Sequence, residues 1–211
     1  MDSRTIRFYD ENAESVFARY ESVRSPVEKH FRLAFAPGTE ILDIGAGSGR
    51  DLRELIREGY SAGGVEPSEP LRRRAIQRDP SLDTLLIDGS LPGLSARLIR
   101  KFDGILCSAV FMHIPEDQHF DAALDIRNLL KPRGRLLLSI PRTRTDVGED
   151  RRDAQGRLYA PVRPETVRHL FGRLGFRSIT QWEDDDLLAR PGFTWTTLLF
   201  ELTLEDEAGA I

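Results

Sequence analysis

Short apolar segments alternate with longer stretches of helical periodicity along most of the chain. The apolar segments are typical of buried strands and lie at residues 40–44, 61–65, 84–87, 102–107 and 135–140. The stretches between them repeat their apolar side chains every three or four residues, and helices are predicted at 50–57, 69–78 and 117–130. This alternation predicts βαβ units and a parallel sheet with right-handed connections.

The beginning of the chain is polar but carries apolar side chains at helical spacing. These side chains are Val16, Phe17, Tyr20, Val23, Val27, Phe31 and Phe35. The spacing predicts one or two amphipathic helices within residues 10–35. Pro26 interrupts them, because proline disfavours helical backbone in the residue before it.

The last third of the chain changes character. Residues 142–157 form a charged loop without periodicity, and a helix is predicted at 164–174. Strands are predicted at 176–182 and 193–202, joined by a solvated acidic turn at 183–186. Because no helix fits between these two strands, they are expected to pair antiparallel at the sheet edge.

Composition places the chain among single-domain globular proteins. It has 211 residues, with 30 basic and 34 acidic side chains and a net charge of −4, which is unfavourable for a general grip on nucleic acid. Its one cysteine excludes a disulfide framework, and its four histidines lack metal-ligand spacing. No signal core or apolar run of about 20 residues is visible, so we expect a cytoplasmic protein without membrane association. The expected organisation is a single domain over 1–211, divided into a cap (1–37), a core (38–141) and an acceptor-side region (142–211).

A glycine-rich turn follows the first predicted strand. Gly45, Gly47 and Gly49 are spaced Gly-x-Gly-x-Gly, one residue shorter than the dinucleotide fingerprint. Asp43 precedes the first glycine by two residues, which is unfavourable for a pyrophosphate but favourable for an ammonium or sulfonium group. The spacing and the carboxylate together disfavour a nicotinamide-dependent dehydrogenase.

Two further carboxylates end the next two predicted strands. Glu66 lies 21 residues after Gly45, where a carboxylate can accept hydrogen bonds from ribose hydroxyls. Asp88 follows the third strand, where a carboxylate can accept from an adenine amino group. Carboxylates at three successive strand ends suit a nucleoside that carries a cation rather than phosphates.

With these residues the chain resembles the class I S-adenosylmethionine-dependent methyltransferases, of the small-molecule type with an N-terminal helical cap. The segments that carry the resemblance are 42–49, 65–68, 87–90, 102–113 and 129–136. The resemblance implies an α/β fold, a Rossmann-like three-layer sandwich. Its seven-stranded sheet would be mostly parallel, with an antiparallel C-terminal hairpin.

The resemblance also implies S-adenosylmethionine as cofactor and S-adenosylhomocysteine as product. The glycine turn would cradle the methionine part, Glu66 would hold the ribose, and Asp88 with Gly89 would face the adenine. Ser108 and Ala109 would lie beneath the sulfonium, and two tyrosines of the cap would close over the cofactor. The residues implied at the cofactor are Tyr9, Tyr20, Asp43, Gly45, Ala46, Gly47, Gly49, Glu66, Pro67, Asp88, Gly89, Ser90, Ser108 and Ala109.

His113 is the candidate catalytic residue. It follows the fourth predicted strand, near the expected entry of the methyl acceptor. A histidine of ordinary pKa, near 6.5, could take a proton from a hydroxyl or amine. The alternative is that His113 hydrogen-bonds locally and shapes the pocket. Tyr159 and Phe111 could line that pocket or belong to the core, and the arginines of 142–157 could bind an anionic acceptor or remain solvated.

The expected reaction is methyl transfer by in-line displacement to an oxygen or nitrogen atom of a small molecule. A non-catalytic cofactor-binding protein or regulatory subunit is the first alternative. A nucleic-acid methyltransferase is disfavoured, because residues 107–110 (Cys-Ser-Ala-Val) lack the motifs of base-methylating enzymes and the net charge is negative. The identity of the acceptor and the choice between monomer and homodimer are not encoded in any readable motif.

Overall fold

The computed structural model describes residues 1–188, 190 and 192–203, and its centre is one seven-stranded sheet. The strands are β1 (Glu40–Ile44), β2 (Ser61–Val65), β3 (Leu86–Ile87), β4 (Phe102–Ser108), β5 (Leu130–Thr143), β6 (Phe176–Asp185) and β7 (Thr194–Leu202). Their order is β3-β2-β1-β4-β5-β7-β6. The first five strands pair parallel, and β7 runs antiparallel to both β5 and β6. The predicted fold class is confirmed.

Helices cover both faces of the sheet. They are α1 (Ser3–Glu11), α2 (Ala13–Glu21), α3 (Phe31–Ala34), α4 (Arg50–Arg57), α5 (Glu69–Arg78), α6 (His119–Leu129) and α7 (Pro164–Arg173). Alternate residues of the central strands belong to two apolar clusters, because successive strand side chains point to opposite faces. Ile41 and Leu106 join the cluster with α3 and α4, and Leu42 and Ile105 join the one with α6 and α7. The result is a three-layer sandwich.

The helical cap begins earlier than the apolar spacing predicts. The first helix starts at Ser3 because Asp2 caps it, accepting a hydrogen bond from the Thr5 backbone N–H at 2.8 Å. Asn12 then separates α1 from α2. The cap signal at Asp2 was readable in the sequence, but it falls outside the apolar repeat from which residues 10–35 were predicted.

The acidic turn at 183–186 was predicted wrongly. Strand β6 continues to Asp185, and the Asp184 side chain is buried, where it accepts a hydrogen bond from Thr197 Oγ1 at 2.8 Å. Asp186 is also engaged, accepting from Arg190 and from Trp195 Nε1. The partners of Asp184 and Asp186 lie on other elements or several residues away along the chain. A run of acidic residues therefore resembles a solvated turn when the residues that bond to it are distant in the sequence.

The charged segment 142–157 is also more ordered than its composition indicates. Strand β5 extends to Thr143, which pairs with Thr194 of β7. Asp153 and Arg157 are buried and hydrogen-bonded to each other, with Arg157 Nε donating to Asp153 at 2.8 Å.

The third strand is shorter than the predicted 84–87 and comprises Leu86–Ile87 alone.

Candidate cofactor and acceptor site

The glycine turn connects β1 to α4 at the carboxyl end of the sheet. Gly45 and Gly47 have φ of +73° and +57°, backbone that residues with a side chain rarely adopt. A Cβ on Gly45 would collide with the Val110 side chain, whereas one on Gly47 would lie 3.5 Å from the Tyr20 ring. Gly45 is therefore required by packing against the loop after β4. Gly47 leaves a space under Tyr20 that a side chain would fill.

Three carboxylates and one arginine converge beside this turn. Glu66 accepts hydrogen bonds from the backbone N–H of Gly47 at 3.0 Å and of Ser68 at 2.9 Å. Burial nevertheless raises its pKa to about 7. Asp43 is buried, and its Oδ2 has no hydrogen-bond partner in the described part of the chain. Burial and the nearby Asp51 and Glu66 raise the pKa of Asp43, with Arg50 opposing them.

This arrangement fits the cofactor that the sequence implies. A buried carboxylate oxygen without a partner is costly unless a ligand supplies one. The excess of carboxylates over arginines favours a cationic ligand, and S-adenosylmethionine carries a sulfonium and an ammonium group. The residues present therefore fit S-adenosylmethionine at the glycine turn.

A cavity opens between the glycine turn, the end of β4 and the cap helices. Together with its open mouth it encloses about 1250 Å³, enough for a cofactor and a small second ligand. The residues of the implied cofactor set that line it are Tyr9, Tyr20, Gly45, Ala46, Gly47, Glu66, Ser108 and Ala109. Ala109 has φ of +58°, a strained conformation of the kind that clusters at functional sites.

Other members of the implied set lie away from the cavity wall. Asp43 is buried behind the turn, and Gly89 packs against the side chains of Leu94 and Val65. Asp88 is half exposed and pairs with Arg72 at 3.2 Å and Arg97 at 3.3 Å. Also absent from the residues that line the cavity are Gly49, Pro67 and Ser90. The structure thus places Asp88 and Gly89, the residues implied at the adenine, outside the wall of this cavity.

His113 lines the cavity and is held by two hydrogen bonds. Its Nδ1 lies 2.6 Å from the Leu158 carbonyl oxygen, so Nδ1 carries the proton and donates it. The other ring nitrogen, Nε2, lies 3.3 Å from the Tyr9 hydroxyl, which can therefore donate to it. Burial lowers the pKa of His113 to about 4, so the imidazole is neutral at physiological pH.

The cavity has further lining residues, of which only Arg157, as one of the arginines of 142–157, was anticipated from the sequence. They are Met1, Val16, Arg19, Val23, Pro26, Ser48, Arg50, Asp51, Leu71, Val110, Met112, Ser139, Arg157, Asp186, Leu187, Leu188, Arg190 and Trp195. Arg50 and Asp51 follow the glycine turn directly, so their position beside the motif was a usable signal. Ser48 lies within the turn itself, and Val110 and Met112 follow β4, inside a segment that carries the resemblance. Apart from Arg157, the remaining residues come from the cap, α5, β5, β7 and the segment after β6, where spacing carries no such signal. Tyr159 lines the cavity, whereas Phe111 is fully buried and packs against Phe171.

The cap is attached to the site by charged and polar contacts. Arg53 of α4 donates to both carboxylate oxygens of Glu21 at 2.6 and 2.7 Å, and Ser48 donates to Glu21 at 2.8 Å. On the opposite side Arg152 donates to Asp2 at 2.9 Å. Helices α1 and α2 therefore cover the cavity from two anchored ends.

Within residues 1–188, 190 and 192–203, no group of three or more His, Cys, Asp or Glu side chains is arranged to hold a metal ion. Over the same residues, no helix combines the length and apolar character needed to cross a bilayer.

Comparison with known proteins identifies the class. The family profile described as "Methyltransferase domain" matches residues 14–181, and the chain belongs to this family. An uncharacterized methyltransferase of Geobacillus sp. (strain WCH70) is 28% identical over 195 residues, which are 92% of this chain and 84% of that protein. The protein is thus a class I S-adenosylmethionine-dependent methyltransferase, and the predicted cofactor is confirmed.

Solved structures share the fold at low sequence identity. The 1,6-didemethyltoxoflavin-N1-methyltransferase of Burkholderia thailandensis, crystallised with 1,6-didemethyltoxoflavin and S-adenosylhomocysteine, has a TM-score of 0.65 and 20% identity, covering 96% of this chain and 83% of its own. The CcbJ methyltransferase of Streptomyces caelestis has a TM-score of 0.67 and 16% identity, covering 96% of this chain and 100% of its own. Each supports the fold.

Proposed function

We propose that this methyltransferase methylates an oxygen or nitrogen atom of a small molecule. The observation that carries the proposal is the cavity, which continues from the glycine turn to a part walled by Tyr9, His113, Tyr159 and Trp195 under the cap. A site enclosed by cap helices admits a small acceptor more readily than a polymer. The Burkholderia structure, which holds a small acceptor beside S-adenosylhomocysteine, supports the same choice.

In this proposal the chain's residues divide between the cofactor and the acceptor. Asp43, Glu66 and the glycine turn hold S-adenosylmethionine, with Tyr20 packed over Gly47. The bound cofactor supplies an electrophilic methyl carbon. The protein must place the acceptor atom in line with the bond from sulfur to this carbon, and it must exclude water. The cap, Ser108 and Ala109 serve these two purposes.

We further propose that His113 orients Tyr9. A neutral imidazole with a pKa near 4 is a weak base, but its Nε2 can accept the Tyr9 hydrogen. The Tyr9 oxygen then keeps its lone pairs for an N–H or O–H of the acceptor. An His113→Asn variant separates the two roles, because asparagine accepts a hydrogen bond but takes no proton at neutral pH. Turnover retained in His113→Asn supports the orienting role, and turnover lost there but kept in Tyr9→Phe supports the base.

The experiment for the substrate class uses S-adenosylmethionine with a radiolabelled methyl group. The protein is incubated with separate low-molecular-weight, nucleic-acid and protein fractions of a bacterial extract. Label in the low-molecular-weight fraction is the expected result. Label in nucleic acid or protein would contradict the proposal, and cofactor binding without label in any fraction would favour the non-catalytic alternative.

A further inference from the structure

Two arginines in the cavity wall are fixed in the same way. Arg157 Nε donates to Asp153 at 2.8 Å, and Arg190 Nε donates to Asp186 at 2.9 Å. In each pair the aspartate lies four residues earlier and also accepts from the backbone N–H of its arginine at 3.0 Å. The two guanidinium groups are therefore positioned by the protein itself.

The two aspartates accept several hydrogen bonds each, but the two arginines have hydrogen-bond donors left over. Asp186 also accepts from Trp195 Nε1 at 3.0 Å, and Asp153 accepts from the Gln155 backbone N–H at 3.1 Å. Among residues 1–188, 190 and 192–203, no hydrogen bond reaches Nη1 of Arg157 or Arg190. Since both side chains line the cavity, this wall offers donors to a ligand and few acceptors.

The arginines also repel each other. The bond to Asp186 raises the pKa of Arg190, and the charge of Arg157 opposes that rise. The charges of Arg157 and Arg144 likewise add to the lowering of the His113 pKa that burial causes. Asp153 and Asp186 already occupy the Nε and Nη2 edge of the two guanidinium groups. Each arginine therefore presents Nη1 to the cavity, and a carboxylate between them could accept one charge-assisted hydrogen bond from each and relieve their repulsion.

We propose that the methyl acceptor carries a carboxylate bound by Arg157 and Arg190, attached to a planar or aromatic part that packs against Tyr159 and Trp195. The inference rests on the proposed function, because it assigns the acceptor of that reaction.

The test is titration calorimetry with benzoate, 4-hydroxybenzoate and indole-3-acetate, each compared with its primary amide. The protein is titrated with and without saturating S-adenosylhomocysteine. At least one acid is expected to bind, at least about tenfold more tightly than its amide, because the amide lacks the negative charge that strengthens its hydrogen bonds to the two arginines. Arg190→Gln should weaken the acid about tenfold and leave the amide unchanged.

The variants are chosen so that a loss of binding does not come from a failure to fold. The Arg190 side chain is about 29% exposed and that of Arg157 about 9%, so Arg190→Gln disturbs the interior less and is the primary variant. Arg157→Lys, which keeps the charge but loses the Nη1 donor, is the second. Arg168→Gln is the matched control, since Arg168 pairs with Glu165 on the outer surface of α7.

Three results would overturn the inference: no acid binds, an amide binds as tightly as its acid, or Arg190→Gln and Arg157→Lys both bind the acids like the wild type. A failure of S-adenosylhomocysteine to bind counts against the proposed function instead. In that case the titrations without it still decide whether the arginines bind a carboxylate.

Discussion

Glu66 joins two elements of the fold and is also the carboxylate that we propose for the ribose of the cofactor. Its carboxylate accepts hydrogen bonds from Gly47 and Ser68, which ties the end of β2 to the glycine turn. It is buried, and its pKa of about 7 lies within the physiological range. The charge of this carboxyl group therefore changes near neutral pH.

Cofactor affinity should depend on the charge of Glu66. A ribose-binding carboxylate must be ionised to accept from two hydroxyls, so the affinity for S-adenosylhomocysteine should fall below pH 7. Well below the pKa of Glu66, the affinity should fall about tenfold for each pH unit. Calorimetry between pH 7.5 and 5.5 measures this. The slope should vanish in Glu66→Gln and persist in Glu69→Gln, the control, in which an exposed glutamate of α5 loses the same charge. The same slope in all three proteins would refute the role of Glu66.

The charge state of His113 can be measured without any acceptor. Because burial lowers its pKa, we expect the imidazole to stay neutral down to pH 5 and to gain a proton only near pH 4. Nitrogen-15 chemical shifts of the histidine ring should show a protonated Nδ1, bonded to the Leu158 oxygen, and a bare Nε2. A titration midpoint near 6.5, or the opposite tautomer, would contradict the orienting role.

At the scale of elements, the cap and α4 act as one unit. Arg53 and Ser48 hold Glu21 at the end of α2, and Arg50 Nη1 donates to the carbonyl oxygens of Tyr20 at 3.1 Å and Val23 at 3.4 Å. The cap over the cavity is thus hydrogen-bonded to the glycine turn and to the helix that follows it. Cap closure and cofactor binding are expected to be coupled.

Breaking this attachment should weaken cofactor binding. Glu21→Gln removes charge-assisted hydrogen bonds of a half-buried pair, worth about 1 to 2 kcal/mol, or about tenfold in affinity if the cap must be closed to bind. Glu14→Gln on the same helix is the control, because its partner Arg74 and Glu14 itself are exposed. Calorimetry gives the affinity, and hydrogen exchange reports opening of α1 and α2. Equal affinity and exchange in both variants would show that the cap is not coupled to the site.

At the scale of the whole molecule, the sequence predicted the sheet but only part of the site. The positions of the strands and of the glycine turn follow from local signals, namely apolar runs and glycines next to strand ends, whereas the sheet architecture was implied by the family resemblance. Asp88 shows the limit, because it ends the third strand as expected but pairs with Arg72 and Arg97. Arg190 and Trp195 enter the cavity wall through contacts with Asp186 across a turn. Such contacts depend on three-dimensional packing that no spacing in the sequence records.

We propose that the glycine turn and its carboxylates bind S-adenosylmethionine. The most direct test is titration calorimetry with S-adenosylmethionine, S-adenosylhomocysteine and NAD. The two sulfur ligands should bind with micromolar affinity and NAD should give no heat. Gly47→Val, which fills the space under Tyr20, and Asp43→Ala should abolish binding, whereas Gly172→Val, at an open position on α7, should not. Binding of NAD in place of the sulfur ligands, or binding unchanged in Gly47→Val and Asp43→Ala, would contradict the account.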